Sequence, residues 1–225
     1  MEAFLSTPLG VALFVAFDAL AVLAVICITY RWLFKRVFDW LFSTIAILLL
    51  APVWAVLFVR GAIAKKRGEI ETVLVSEEYI GKKGKTVRLH EFHRAFFRWN
   101  LLARLFDIFL GRLSFIGCKA LPLRDCTFLS DSEYERHLAK PGLINPLVTC
   151  GSEETDYEEM WERDKKYALS FGFFKDFGIF WVWLLKQIRG EGNAHLGKTR
   201  EKSYAQYLLD DERITQADYD EAQTL

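Results

Sequence analysis

Apolar residues run almost unbroken over two stretches near the start of the chain, Pro8 to Tyr30 and Val37 to Val59. The first holds a single charge, Asp18, and has the roughly 20 residues that one helix needs to cross a hydrocarbon core. A transmembrane helix is expected there. A cleaved signal peptide would want positive charge ahead of the apolar run, whereas Glu2 precedes it and Arg31, Lys35 and Arg36 come after it. Asp18 is costly in lipid if ionised, so the expectation is a protonated side chain or one paired with another helix. The second stretch is flanked by cations at both ends, Lys35 and Arg36 before it and Arg60, Lys65, Lys66 and Arg67 after it. Segments rich in lysine and arginine stay on the cytoplasmic side, and Pro52 interrupts helical hydrogen bonding partway along. Together these predict a re-entrant helix over 37–59 with Pro52 at its break; a kinked ordinary span is the alternative.

Beyond residue 70 the period changes. Glu71–Ser76 and Lys85–His90 alternate as two strands of a hairpin, joined through Gly81-Lys82-Lys83-Gly84. From Glu91 to Leu113 apolar residues recur at threes to fives with Arg94, Arg98 and Arg104 interleaved, which predicts a helix lying on a membrane or on its own core. Ser114–Lys119 reads as a glycine-bearing loop able to offer backbone N–H groups and one cation to a phosphate, with Ser114, Gly117 and Lys119 as candidate ligands. Residues 120–160 read as loop with short helices, a turn at Lys140-Pro141-Gly142, and an acidic solvated stretch that includes Glu153, Glu154 and Glu158. Trp161 to Ile188 predicts one long aromatic amphipathic helix docked at an interface beside the first membrane helices. After it the tail is polar and expected to be loosely attached.

Composition narrows the function classes. Of 225 residues 52% are hydrophobic, which excludes disorder, and 29 basic residues balance 29 acidic ones, so no field of one sign draws the chain onto nucleic acid. The four cysteines, at 27, 118, 126 and 150, have neither zinc-site nor disulfide-scaffold spacing and are expected as reduced thiols facing the cytosol. The fold class expected is α+β and helix-dominated: one N-terminal transmembrane helix, then a membrane-associated domain with a re-entrant helix, a small β-hairpin and interfacial amphipathic helices.

The order of several short segments resembles the bacterial sugar transferases that move a sugar-1-phosphate from a nucleotide sugar to a polyprenyl phosphate. Lys35-Arg36-Val37-Phe38-Asp39 is similar to the K-R-x-F-D that opens the family's re-entrant helix, and Ala51-Pro52 to its Ser-Pro break. Glu78-Tyr79-Ile80-Gly81-Lys82-Lys83-Gly84-Lys85 resembles E-R-V-G-K-N-G-K, with Glu91-Phe92-His93 where K-F-R is usual. Leu110–Ala120 fits the frame of K-G-D-M-S-L-V-G-P-R-P, Lys140-Pro141-Gly142-Leu143 resembles R-P-G-I, and Asp164, Tyr167, Ser170 and Asp176 fit the closing pattern. The likeness covers about 35–192 and implies a sugar-transferase-like domain there; the apolar run puts an extra transmembrane helix in 1–34 ahead of it, and the polar composition a tail over 193–225 after it.

The departures bear on chemistry. Counted back from Gly111, the family's nucleophilic aspartate and its magnesium-holding glutamate fall on Asn100 and Leu101. An amide cannot form an acyl phosphate, and leucine offers a magnesium ion nothing. Lys119 stands where the family has an arginine, keeping a cation but losing the bidentate fork. Asp107, two helical turns on from Asn100, is the one candidate catalytic carboxylate; it falls where the family commonly has asparagine. These departures imply a catalytically impaired partner or regulator of an active transferase in exopolysaccharide or glycan biosynthesis, at the bacterial inner membrane with its main domain in the cytosol. Its expected partners are membrane lipids, polyprenyl phosphate and an active transferase, in a homo- or hetero-oligomer, with no nucleic acid. An active transferase using Mg2+ and a UDP-sugar is the alternative, and a membrane-anchored protein unrelated to sugar transfer is a third class.

Overall fold

A computed structural model describes residues 7–93, 100–150, 156–191 and 202–224. Arg94, Arg98, Glu153 and Glu154 lie outside the described residues. The first helix, α1 (Pro8–Thr29), begins with proline at a position where no helical N–H is lost. Its Val11–Thr29 part is long and apolar enough to cross a membrane, and none of it is buried against the other described residues. A π-helical turn, Tyr30–Phe34, leads into α2 (Lys35–Leu49). The helical path then turns by 65° at Leu50 into α3 (Ala51–Lys66). Pro52 occupies the first turn of α3, where its missing N–H matters least, so the break falls just ahead of the proline.

The hairpin lies three to four residues further along than the alternation predicts in its first strand. β1 (Leu74–Ile80) pairs antiparallel with β2 (Thr86–Phe92), Leu74 opposite Phe92 and Ile80 opposite Thr86. Lys83 (φ 60°) and Gly84 (φ 73°) make the left-handed steps of the turn. Glu91 and Phe92 therefore belong to a strand and not to the start of a long helix. The helical part of that region is short: a 3-10 turn at Asn100–Ala103 and α4 (Arg104–Leu110). Gly111, at φ 82°, ends α4 in the left-handed conformation that favours glycine.

The segment expected as a phosphate loop is mostly strand. β3 (Ser114–Ile116) and β4 (Cys118–Lys119) each run parallel to β5 (Pro141–Ile144), in the order β3-β5-β4. Pro141 and Gly142, expected in a turn, lie in the central strand. Gly117 crosses β5 where Gly142 has no side chain; a Cβ on Gly117 would sit 2.8 Å from the Gly142 nitrogen. Two glycines are thus needed for the chain to change sides of one short strand. Between β4 and β5 are two single-turn helices, α5 (Leu123–Cys126) and α6 (Asp131–Tyr134).

The aromatic segment forms two helices, α7 (Tyr157–Ser170) and α8 (Phe173–Ile188), separated at Phe171 and Gly172. Phe173 brings α8 beside the first helices, its ring 5.8 Å from Tyr30 and 6.2 Å from Phe38. The described part of the tail, 202–224, is not loose. α9 (Tyr204–Asp210) and α10 (Gln216–Ala222) fold back, and Tyr204, Ala205, Leu208 and Ala222 are buried. Tyr204 and Leu208 join Tyr157, Met160, Trp161 and Leu147 in one core. Asp125 anchors this docking by accepting the N–H groups of Tyr204 and Ala205, both at 3.2 Å. A second core joins Trp54 and Leu57 of α3 to Leu89 and Phe92 of the hairpin, and a third groups Ile116, Val148, Tyr167 and Ile179. The chain is a helix-dominated α+β protein with small sheets.

Candidate functional site

The first turn of α2 organises the region where the candidate residues lie. Lys35 donates to the carbonyl of Ile116 (2.9 Å) and the Tyr167 hydroxyl (3.0 Å), and pairs with the buried Asp176. Arg36 donates to the carbonyls of Ile108 (2.8 Å) and Phe109 (2.7 Å) at the C-terminal end of α4, where the Ile108 carbonyl also accepts the Gly111 N–H (2.9 Å). Lys140 meets the Gly111 carbonyl at 2.9 Å. Asp39, one turn on from Lys35, accepts the Ser114 hydroxyl (3.0 Å) and the Phe115 N–H (2.9 Å) on a single oxygen. Three polar side chains at the head of an apolar helix therefore fix α4, β3 and α8 in one place.

This wiring uses the groups expected to cradle a phosphate. Ser114 is buried and donates to Asp39, and the Gly117 N–H donates to the carbonyl of Ile144 at 3.0 Å. Lys119 gives its N–H to Asp164 (3.0 Å), and its carbonyl accepts from Arg136. The Lys119 ammonium lies 5.3 Å from the centre of the Tyr157 ring. Burial, reinforced by the Arg136 charge, pushes this lysine down to about 7. Arg136 and Asp164 form a fully buried pair, with the guanidinium 4.8 Å from the Trp161 ring centre. Burial raises the Asp164 carboxyl despite that pairing.

Asp107 is also fully buried. One of its oxygens accepts the His90 N–H at 2.7 Å, and the other meets His90 Nδ1 at 2.9 Å and the Arg112 guanidinium at 3.2 Å. The carboxylate thus ties α4 to β2 and holds the imidazole of a third-exposed histidine. His90 is not marked out in the sequence; its alternation in a strand carries no signal of a partner seventeen residues away.

Asn100 stands near a different acid. Its side-chain amide donates to Glu91 at 3.5 Å, and Arg104 pairs with the other oxygen of Glu91 and donates to the Tyr79 hydroxyl at 3.2 Å. Glu91 lines a cavity of about 270 Å³ together with Val75, Glu77, Tyr79, Leu89 and His93. Leu101, where the resemblance implies the magnesium-holding glutamate, is 36% exposed. Among the described residues no three acidic, histidine or cysteine side chains converge as a metal site. An amide and a leucine with one arginine-paired glutamate nearby do not fit a magnesium ion. The sequence does carry a signal for Glu91, an acid where the likeness has a lysine. Compared with models of known protein families and with proteins of curated function, the chain matches none.

Proposed function

We propose that the chain is a sugar-transferase-like membrane protein without the transferase's own chemistry, acting as a partner or regulator of an active polyprenyl-phosphate sugar-1-phosphate transferase. In this reading α1 crosses the bacterial inner membrane, the pair α2 and α3 enters and leaves it on the cytosolic side, and the domain beyond faces the cytosol. The bend at Leu50 and the cations at both ends of the pair support that topology. The observation that carries the loss of chemistry is the pairing of Asn100 and Leu101 at the key positions with a buried Asp107 whose oxygens already face three donors. A nucleophile must reach the phosphorus of a nucleotide sugar in line, and an occupied, fully buried carboxylate does not.

One observation favours a second reading. Glu91 lies beside Asn100 on the wall of a cavity, so an active enzyme would use Glu91 as its carboxylate. Transfer of radiolabelled phospho-sugar from a panel of UDP-sugars to undecaprenyl phosphate, with magnesium, separates the two. The first reading expects no transfer by the wild-type chain and an altered rate when it is added to an active transferase. Turnover that Glu91→Gln abolishes would overturn it and establish the second.

A further inference from the structure

One side of α8 faces neither the core nor α1. Phe174, Phe177, Trp181 and Ile188 fall on this face and are 65, 57, 51 and 73% exposed. One step round the helix from this stripe, Lys175, Gly178, Ile179 and Val182 form a wall of a groove of about 410 Å³, and Arg163 and Lys166 of α7 form the facing wall. Cations therefore border an apolar stripe that none of the described residues covers.

We propose that this groove binds the phosphate headgroup of an anionic phospholipid, with the acyl chains lying along the Phe174–Ile188 stripe. The inference rests on the membrane-seated reading above but not on any transferase activity. Three cations line the site. Two have acidic neighbours: Arg163, half-buried, donates to Glu159 (3.0 Å) and to the Thr149 hydroxyl (3.4 Å), and Lys166 pairs with Glu162 on the open surface of α7. The exposed Lys166 pair holds weakly and yields to a better anion. The Lys175 ammonium places donors on Ser170 Oγ (2.6 Å) and the Lys166 carbonyl (3.3 Å), which fixes it on the rim. Gly178 leaves the floor open, since a Cβ there would meet no atom within 4 Å. The choice of a lipid over an acidic protein segment comes from continuity: through Phe173 the stripe adjoins Tyr30 and Phe38 at the base of the exposed apolar helices. A polar head at a cationic rim with an apolar body beyond it is the chemistry of a bilayer lipid.

The test is native mass spectrometry of the full chain in a mild non-ionic detergent, titrated with dioleoyl phosphatidylglycerol or phosphatidylcholine. The expected result is preferential retention of one phosphatidylglycerol. Arg163→Gln/Lys166→Gln should weaken it by roughly tenfold or more. Gly178→Leu should abolish it by filling the groove, without loss of folding, because the site is open and glycine is the poorer helix former. Lys85→Gln/Arg88→Gln, which removes as much charge from the exposed face of the hairpin, should leave it unchanged. Equal retention of both lipids, or an equal loss in the Lys85/Arg88 variant, would overturn the proposal, as would complete displacement by equimolar undecaprenyl phosphate. Carbonate extraction of cell membranes reports separately on the membrane seat: a chain released by carbonate fails that reading, whereas one retained without lipid preference fails only the groove.

Discussion

Asp107→Asn separates a structural carboxylate from a catalytic one. The substitution keeps the shape of the side chain and one acceptor oxygen, which remains available to the His90 N–H bonded at 2.7 Å. The new amide NH2 then occupies the place of the oxygen that faces Arg112 (3.2 Å) and His90 Nδ1 (2.9 Å). Opposite Arg112 it sets a donor against a donor, so one charge-assisted bond is lost, worth about 1.5–3 kcal/mol. His90 can present its ring nitrogen as an acceptor and recover much of the second contact. Arg112 is 40% exposed and returns to water at little cost. The net expectation is a destabilisation of about 2–3 kcal/mol. For a chain of this size each kcal/mol moves the melting midpoint by about 2–4 °C, so thermal unfolding followed by tryptophan fluorescence in detergent should show a fall of roughly 4–12 °C. Asp107→Leu should fall further, because it leaves the His90 N–H without its acceptor. A midpoint for Asp107→Asn within a degree of wild type would refute the argument and make Asp107 a reactive group again.

Three further outcomes follow from the geometry. Lys119 is held down to about 7 in the folded chain against an ordinary 10.5, so between those values the unfolded chain binds the extra proton; stability should rise with pH across that window, and Lys119→Met should flatten the rise in urea titrations at fixed ionic strength. Lys35→Met leaves Asp176 buried without its cation and should cost roughly 3–5 kcal/mol, seen as a large drop in melting midpoint, with partial rescue by Asp176→Asn. Leu208→Ala in α9 should cost about 2–4 kcal/mol of docking, measured as amide exchange of Tyr204 and Ala205 that speeds by some 30-fold to several hundredfold; unchanged exchange would mean that the tail is not held by this core.

The parts of this fold that are legible in the sequence are those governed by local period and long apolar runs. α1, the break beside Pro52 and the existence of a hairpin all arise from residues close together in the chain. The failures have a common cause. Glu91 and Phe92 have helix-compatible spacing with the residues after them, yet pairing with Val75 and Leu74 draws them into β2, a tertiary choice that periodicity does not see. Ser114–Lys119 has the composition of a loop, and only the approach of Gly142 makes it two strands. The polar tail reads as free because its apolar residues are few; Tyr204 and Leu208 suffice when Tyr157 and Trp161 wait opposite. Phe171 and Gly172 split the aromatic segment without any proline to announce it.

The candidate site is legible in a different sense. The segment Lys35–Asp39 stands out by its likeness to a family motif, and the structure gives that pattern a physical reason independent of any reaction. An apolar helix that must emerge beside a folded domain is fixed there when its first polar turn meets the domain's carbonyl and N–H groups. Lys35, Arg36 and Asp39 do this for Ile116, Ile108, Phe109, Ser114 and Phe115 together. The requirement belongs to the joint between helix and domain, so it persists whether or not position 100 holds an acid. In the function proposed above, the chain keeps this joint, with Ser114 and Gly117 in place, while Asn100 and Leu101 have no chemistry to offer. In that case Asn100→Ala/Leu101→Gln should fold as well as wild type, because neither side chain takes part in the joint and Asn100 gives up only its 3.5 Å contact with Glu91. A melting midpoint more than a few degrees below wild type would mean that the region around Asn100 is itself part of what holds the domain to α2.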